Sequence, residues 1–314
     1  MEFFHIFRYF WSRRSRFLSV PLTLLACNFP LSLTAQAGSV ANSTVDKIKQ
    51  TKTITIGHRT DGVPFSYVTA DGTVAGYSID ICKEVAEYIR DALKLDRIKV
   101  DYAVATPGTR FVLVKSGKVD MECAATTNNA ERRKQVAFSY PHFYSATRFV
   151  AKKASGFNTI QDLAGRSVAS TTGTINIEQL QDVNRTHNLN ISVLIAKVDS
   201  EGFAMVKNNR ASAFVMDDVL LAGQVAFSDA PEEYAISQDK FGPAEPYGIM
   251  LPKDDVAFKT LVNQALYKIY TSGEINRIYD KWFMSPVPPM NRNFNLPISE
   301  ELRAEFKNPA EYDQ

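Results

Sequence analysis

Short runs of strand spacing alternate with runs of helical spacing twice along this chain, and that alternation limits the fold more than any other feature of its 314 residues. Thr53-Ile54-Thr55-Ile56-Gly57 alternates as a strand. Pro64-Phe65-Ser66-Tyr67 with the Asp71-Gly72 turn reads as a small hairpin. Ile79, Cys82, Val85, Ala86, Ile89 and Leu93 then recur at helical spacing. A strand over 98–102, a short helix through Phe111 and Val114 that Gly117 ends, and a strand over 119–125 complete the first set. Short strands alternating with helices predict a mostly parallel sheet covered by helices, so the fold class is α/β.

The second set uses different residues. Helix is expected at 160–163, 175–183 and 202–208, with strands at 167–170, 191–195 and 211–216. After Pro243 and Pro246 a strand over 247–251 returns the chain. Phe258, Leu261, Val262, Ala265, Leu266 and Ile269 mark an amphipathic helix that Ser272-Gly273 breaks, and Ile275, Ile278, Trp282 and Phe283 mark one more. Residues 39–50 read as a polar lead-in, and the Pro-rich tail from Ser285 as a surface wrap. A long strand over 145–152 and the return near Tyr247 divide the chain into two lobes. One is discontinuous, 38–145 plus 246–314, and the other spans 146–245. Two crossings between lobes make a hinge, and the cleft between them is the expected place for a small-molecule site.

The first 37 residues stand apart. Arg8, Arg13, Arg14 and Arg16 precede an apolar stretch from Phe17, and Ala35-Gln36-Ala37 supplies a small-x-small site. That order is a secretory signal peptide cleaved after Ala37, and the apolar run, broken by Pro21 and Pro30, is too short for an anchor. Leu24-Leu25-Ala26-Cys27 also resembles a lipoprotein box, so the lipidated form stays open. The whole chain holds 36 Lys and Arg against 34 Asp and Glu, and the leader carries four of those Arg and one Glu. The exported chain is therefore close to neutral, which argues against nucleic acid as a partner. Its two remaining cysteines, Cys82 and Cys123, form an even pair in an oxidising compartment; a disulfide and two buried thiols both fit the pattern.

Enzyme signatures are missing from the sequence: no G-x-S-x-G, no phosphate loop, no C-x-x-C, no H-E-x-x-H. Neither a metal nor a cofactor is expected. His58 and His142 lack metal-spaced partners and read as surface or structural residues, and Asp254-Asp255 as a solvated loop end. The informative stretch is Glu122 to Gln135. Asn128 to Glu131 has capping-box spacing directly after a strand, so a helix N-terminus faces the sheet's carboxyl edge, where an anion can sit. Arg132, on the first turn of that helix, has the planar fork that binds a carboxylate through two hydrogen bonds.

Thr126-Thr127-Asn128-Asn129-Ala130-Glu131-Arg132, Gly57-His58-Arg59, Gly76-Tyr77-Ser78 and Phe214-Val215-Met216-Asp217-Asp218 resemble the glutamate/aspartate-binding periplasmic proteins of ABC importers. So do Pro64 to Tyr67, Ser272-Gly273-Glu274 and Asp280-Lys281-Trp282-Phe283, collinear over nearly the whole exported chain. The resemblance implies a two-lobed periplasmic binding protein type II fold with a venus-flytrap hinge. Carried over by position, it implies that Arg132 holds an α-carboxylate, Asp217 an α-ammonium, and Arg59 and Arg110 a side-chain carboxylate. Thr127 would supply a hydroxyl, and the Thr172-Gly173-Thr174 turn would open a helix whose N–H groups meet a carboxylate. Three Arg and one Asp leave a net positive pocket suited to a dicarboxylic amino acid.

Four positions depart from the resemblance. Pro107 and Ala125 stand where serines are usual, Ile175 replaces a threonine, and Asp199 replaces a histidine. An inward Asp199 lowers the pocket charge; an Asp199 paired with an arginine does not contact ligand. The expected function is a periplasmic receptor, a monomer, that delivers glutamate or aspartate to the inner-membrane permease subunits of an ABC importer. The alternatives are a receptor for glutamine or asparagine, or a chemosensory ligand-binding protein. A dehydratase-like enzyme would need a base and an acid in the cleft, whereas the residues carried over are anchors.

Overall fold

The computed structural model describes residues 43–289 and 291–313. The proposed leader and Cys27 lie outside them. The first five-stranded sheet has the spatial order 99–104, 53–58, 121–122, 250–251, 137–138, with its first three strands parallel. Four helices precede the crossing to the second lobe: α1 (Thr44–Thr51), α2 (Tyr77–Ala92), α3 (Arg110–Lys115) and α4 (Ala130–Arg133). The second sheet has the order 192–196, 167–171, 213–217, 147–152, 234–236. It carries α5 (Ile175–Thr186), α6 (Asp199–Lys207) and α7 (Asp218–Ala226). The chain then returns through α8 (Val256–Thr271), α9 (Glu274–Phe283) and α10 (Glu300–Lys307).

Side-chain alternation explains the second sheet's two faces. Val168, Ala213 and Val215 pack with Phe149 and Leu180, while Ala169, Phe214 and Met216 face a larger core shared with Phe203 and Leu221. In the first sheet Ile54 and Ile56 bury against α2 and α8 through Ile79, Val85, Phe258 and Leu266.

Several elements differ from the sequence reading. The strand expected over 145–152 is two, Phe143–Ser145 and Thr147–Lys152, and the return is Glu245–Tyr247 and Met250–Leu251. The reason is the crossing itself. Phe143 pairs with Tyr247 and Ser145 with Glu245 in a separate two-stranded ribbon, and each chain then changes sheet. Phe65, Phe143 and Tyr247 pack within 4.9–5.9 Å of one another, so a dense aromatic knot anchors the ribbon. The polar lead-in contains α1, capped by Ser43 with Ile48 buried. The tail contains α10, capped by Ser299, whose Leu302 and Phe306 are buried. Both helices bury only two residues, too few to leave a periodic trace. Only Met121–Glu122 of the expected 119–125 strand is ladder-paired, and 160–163 is a 3₁₀ turn. Asp255 is no solvated loop end: it caps α8 by accepting from the Phe258 N–H and also accepts from the Thr44 N–H.

Cys82 of α2 and Cys123, just after the 121–122 strand, are disulfide-bonded. His58 and His142 are both buried. His142 is wholly buried with its Nε2 3.0 Å from Ser78 Oγ, and burial lowers its pKa to about 4.

Candidate functional site

Three arginines come from the first lobe. Arg59 follows the 53–58 strand at the sheet's carboxyl edge, and Arg110 is the first residue of α3. Arg132 sits in α4, where the capping residue is Asn129 rather than Asn128: its Oδ1 accepts from the Arg132 N–H at 2.9 Å. All three guanidinium groups are buried in the cleft. Arg110 Nη2 donates to the Gly173 carbonyl of the other lobe at 3.0 Å, and Arg132 Nη2 to the same oxygen at 3.4 Å. Arg132 Nη1 donates to the Thr127 carbonyl at 3.0 Å. The two guanidinium carbons lie 5.5 and 5.6 Å from the Phe111 ring centre.

Arg59 is different. Its Nη2 donates to Asp199 Oδ2 at 2.7 Å across the cleft, and Asp199 Oδ1 accepts from Thr171 Oγ at 2.9 Å. Asp199 is the first residue of α6 and is wholly buried. Burial opposes the Arg59 charge, but Asp199 and Asp61 outweigh it and hold the guanidinium firmly protonated. For Arg110 burial wins, reinforced by the neighbouring Arg132 charge, and its pKa falls to about 9. Its Nε is buried without a hydrogen-bond partner.

On the second lobe the 213–217 strand delivers Asp217, which occupies the N-cap position of α7. Its Oδ2 accepts from the Tyr247 hydroxyl at 2.5 Å and its Oδ1 from Asn176 Nδ2 at 2.7 Å. Burial raises its pKa against both bonds. Thr174 caps α5 by position, and its hydroxyl donates to the Thr171 carbonyl at 2.7 Å. Thr127 is buried and its backbone bridges to Tyr247.

Arg59, Arg110, Thr127, Arg132, Thr174, Asp199 and Asp217 are all buried, and the Arg59–Asp199, Arg110–Gly173 and Arg132–Gly173 contacts join the two lobes. The pocket charge requires a correction. Glu122 is wholly buried, accepts from Thr126 Oγ at 2.8 Å, and couples electrostatically to Arg110, Arg59 and Arg132. With Asp199 turned inward as well and Asp61 4.0 Å from Arg59, four acids stand among the three arginines. Burial raises the pKa of Glu122, Asp199 and Asp217, so the cleft is less positive than three Arg and one Asp would make it. Tyr247, Asn176 and Glu122 were not singled out from sequence. A glutamate inside an apolar strand run was the one available signal. Among the described residues no group of three or more His, Cys, Asp or Glu side chains converges in metal-binding geometry.

Buried arginines of one lobe thus face a buried carboxylate of the other, a charge arrangement complementary to a zwitterion. The family model of bacterial extracellular solute-binding proteins, family 3, matches residues 54–285. The chain belongs to this family. It is 42% identical over 271 residues to the L-glutamate/L-aspartate-binding protein of Pseudomonas aeruginosa, covering 85% of this chain and 89% of that one. It is 38% identical over 285 residues to a glutamate/aspartate import solute-binding protein of Escherichia coli, covering 91% and 94%. Among solved structures, an ancestral arginine-binding protein bound to arginine superposes with a TM-score of 0.67 at 27% identity, over 74% of this chain and 98% of that one. The fold is the two-lobed type II periplasmic binding protein fold, as family 3 members share.

Proposed function

We propose that this family 3 protein is an exported periplasmic receptor that captures glutamate or aspartate and hands it to the permease of an ABC importer, with no catalytic step. In this reading Arg132 receives the α-carboxylate, Asp217 the α-ammonium and Arg110 the side-chain carboxylate, with Thr127 and the N–H groups at Thr174 completing the shell. The observation that carries it is Arg110. A buried guanidinium whose Nε lacks a partner, and whose pKa is pulled down to about 9, is a charge that calls for an anion. The 42% and 38% identical relatives are named for the same two acids.

The acids buried among the three arginines favour one second reading, a receptor for the neutral amides glutamine or asparagine. Calorimetry of the exported protein with glutamate, aspartate, glutamine and asparagine separates them. Tighter binding of either acid than of both amides supports the proposal; the reverse order replaces it with the amide receptor.

A further inference from the structure

Arg59 and Arg110 stand on the same lobe, yet only Arg59 hydrogen-bonds a carboxylate, while Glu122 acts on Arg110 electrostatically. Arg59 already holds Asp199 at 2.7 Å, and both members of that pair are buried. Every oxygen of Asp199 is engaged, Oδ2 by Arg59 and Oδ1 by Thr171. The surroundings fix the pair in place. The Arg59 N–H donates to Ser66 Oγ at 2.9 Å, and Asp61, with Oδ1 4.0 Å from Arg59, accepts from the Ser200 N–H at 2.8 Å. The Asp61 carbonyl accepts from Gln224 Nε2 at 3.2 Å. This set of contacts crosses from one lobe to the other.

From this we infer that Asp199 is a specificity-determining residue: it occupies Arg59 as a hydrogen-bonded internal carboxylate, leaving Arg110, which has no such partner, to distinguish a ligand's acid from its amide. The inference rests on the acidic-amino-acid reading given above. A ligand carboxylate approaching Arg59 meets a second carboxylate that has no solvent to retreat into, and two carboxylates on one guanidinium repel. Displacing Asp199 would leave it buried and unpaired, which proteins tolerate poorly. The Arg59–Asp199 pair thus contributes no net charge to ligand selection, and preference for acid over amide is weaker than three arginines would suggest.

The test is the glutamine-to-glutamate ratio of dissociation constants by calorimetry, at fixed pH and salt, in the wild type and in Asp199→Asn. Asparagine keeps the shape and a polar partner for Thr171 while releasing Arg59. The ratio should rise about ten-fold, or ~1.4 kcal/mol, through tighter glutamate binding. Adding Arg59→Gln to Asp199→Asn should abolish that gain. If Asp199→Asn shows no cooperative melting transition, Asp199→Ser offers the same comparison with a smaller polar side chain. An unchanged or lowered ratio overturns the inference, as does equal weakening of both ligands, which would make Asp199 a lobe-closing contact only. A wild type that prefers glutamine to both acids instead defeats the functional reading, visible before any variant is made.

Discussion

Arg110 and Arg132 share one acceptor, the carbonyl of Gly173, reached from the opposite lobe at 3.0 and 3.4 Å. Gly173 can offer that carbonyl because its φ is +73°, and a Cβ there would lie 2.5 Å from the Pro107 carbonyl oxygen. The two like charges meet on one neutral oxygen, and for each of them burial still outweighs the nearby acids and lowers the pKa. An anionic group between them would relieve both the repulsion and the desolvation that lower the Arg110 pKa.

Arg110→Ala and Arg132→Ala should therefore behave differently. Charge-assisted hydrogen bonds contribute roughly 1.5–3 kcal/mol each. Arg110→Ala should weaken glutamate by about ten- to hundred-fold and glutamine by much less. Arg132→Ala, acting on the α-carboxylate common to both, should weaken the two alike. Isothermal titration of each variant with both ligands checks the pattern, and equal losses in Arg110→Ala would remove it from the side-chain subsite.

Tyr247→Phe tests the ammonium side. The lost hydroxyl leaves Asp217 with Asn176 alone, which should cost about 1–3 kcal/mol of stability. Asp217 must be ionised to pair with an ammonium, and its pKa is already raised by burial. Arg132 pulls that pKa down and Asp218 pushes it up, and neither changes in the variant. Removing a donor from the carboxylate raises the pKa further, so affinity should fall at a higher pH on acidification than in the wild type. Titrations from pH 7 downward would show coincident curves if Tyr247 plays no such part.

Arg132 was legible in sequence because a helix cap after a strand is a local pattern, whereas Arg59, Arg110 and Asp217 came only from the resemblance to the glutamate/aspartate binders. Asp199 was legible as an anomaly but not as a partner of Arg59, since 140 residues separate them. Glu122 was missed because its place in an apolar run marks an unusual strand residue but does not reveal the three arginines it meets. The hinge ribbon was read as long strands for a similar reason: Tyr247 pairs with Phe143, and only tertiary contact reveals where each strand changes sheet. α1 and α10 bury two side chains apiece, below what periodicity detects.

His142 should make stability pH-dependent. Its pKa in the folded protein is lowered to about 4 by burial, opposed only by a bond to the Ala124 backbone. Between that value and its ordinary one near 6.5, the unfolded chain binds the proton and the folded one does not. Stability is thus fully present above about pH 6.5 and falls as pH drops toward 4, by at most about 3 kcal/mol from this residue. Denaturant melts of the wild type and His142→Gln across that window should diverge, with the shallower slope in the variant. Parallel slopes would show that other groups set the acid limit.

Removing the Cys82–Cys123 bridge frees a loop with a sequence separation of 41 residues. On the chain-entropy account such a bridge stabilises by about 4 kcal/mol. The double variant Cys82→Ser, Cys123→Ser should melt lower and match the wild type measured in reductant. Identical melting of wild type with and without reductant would indicate that the bond contributes nothing.

Gly223 offers a way to test closure without touching the ligand residues. It is buried in α7 of the second lobe, and a Cβ there would lie 2.3 Å from the Val63 carbonyl oxygen of the first. That neighbour is backbone and cannot rotate away, so the lobes must move apart to admit a methyl group. Alanine is otherwise the better helix residue by about 1 kcal/mol, so the second lobe itself should not be weakened. Gly223→Ala should bind glutamate and glutamine about ten-fold or more weakly by the same factor, leaving their ratio intact. Its radius of gyration with saturating ligand should exceed that of the liganded wild type in solution scattering. Undiminished affinity with a wild-type radius would mean that this contact yields, and that the grip of Arg132 and Asp217 on a shared ligand does not depend on lobes meeting here.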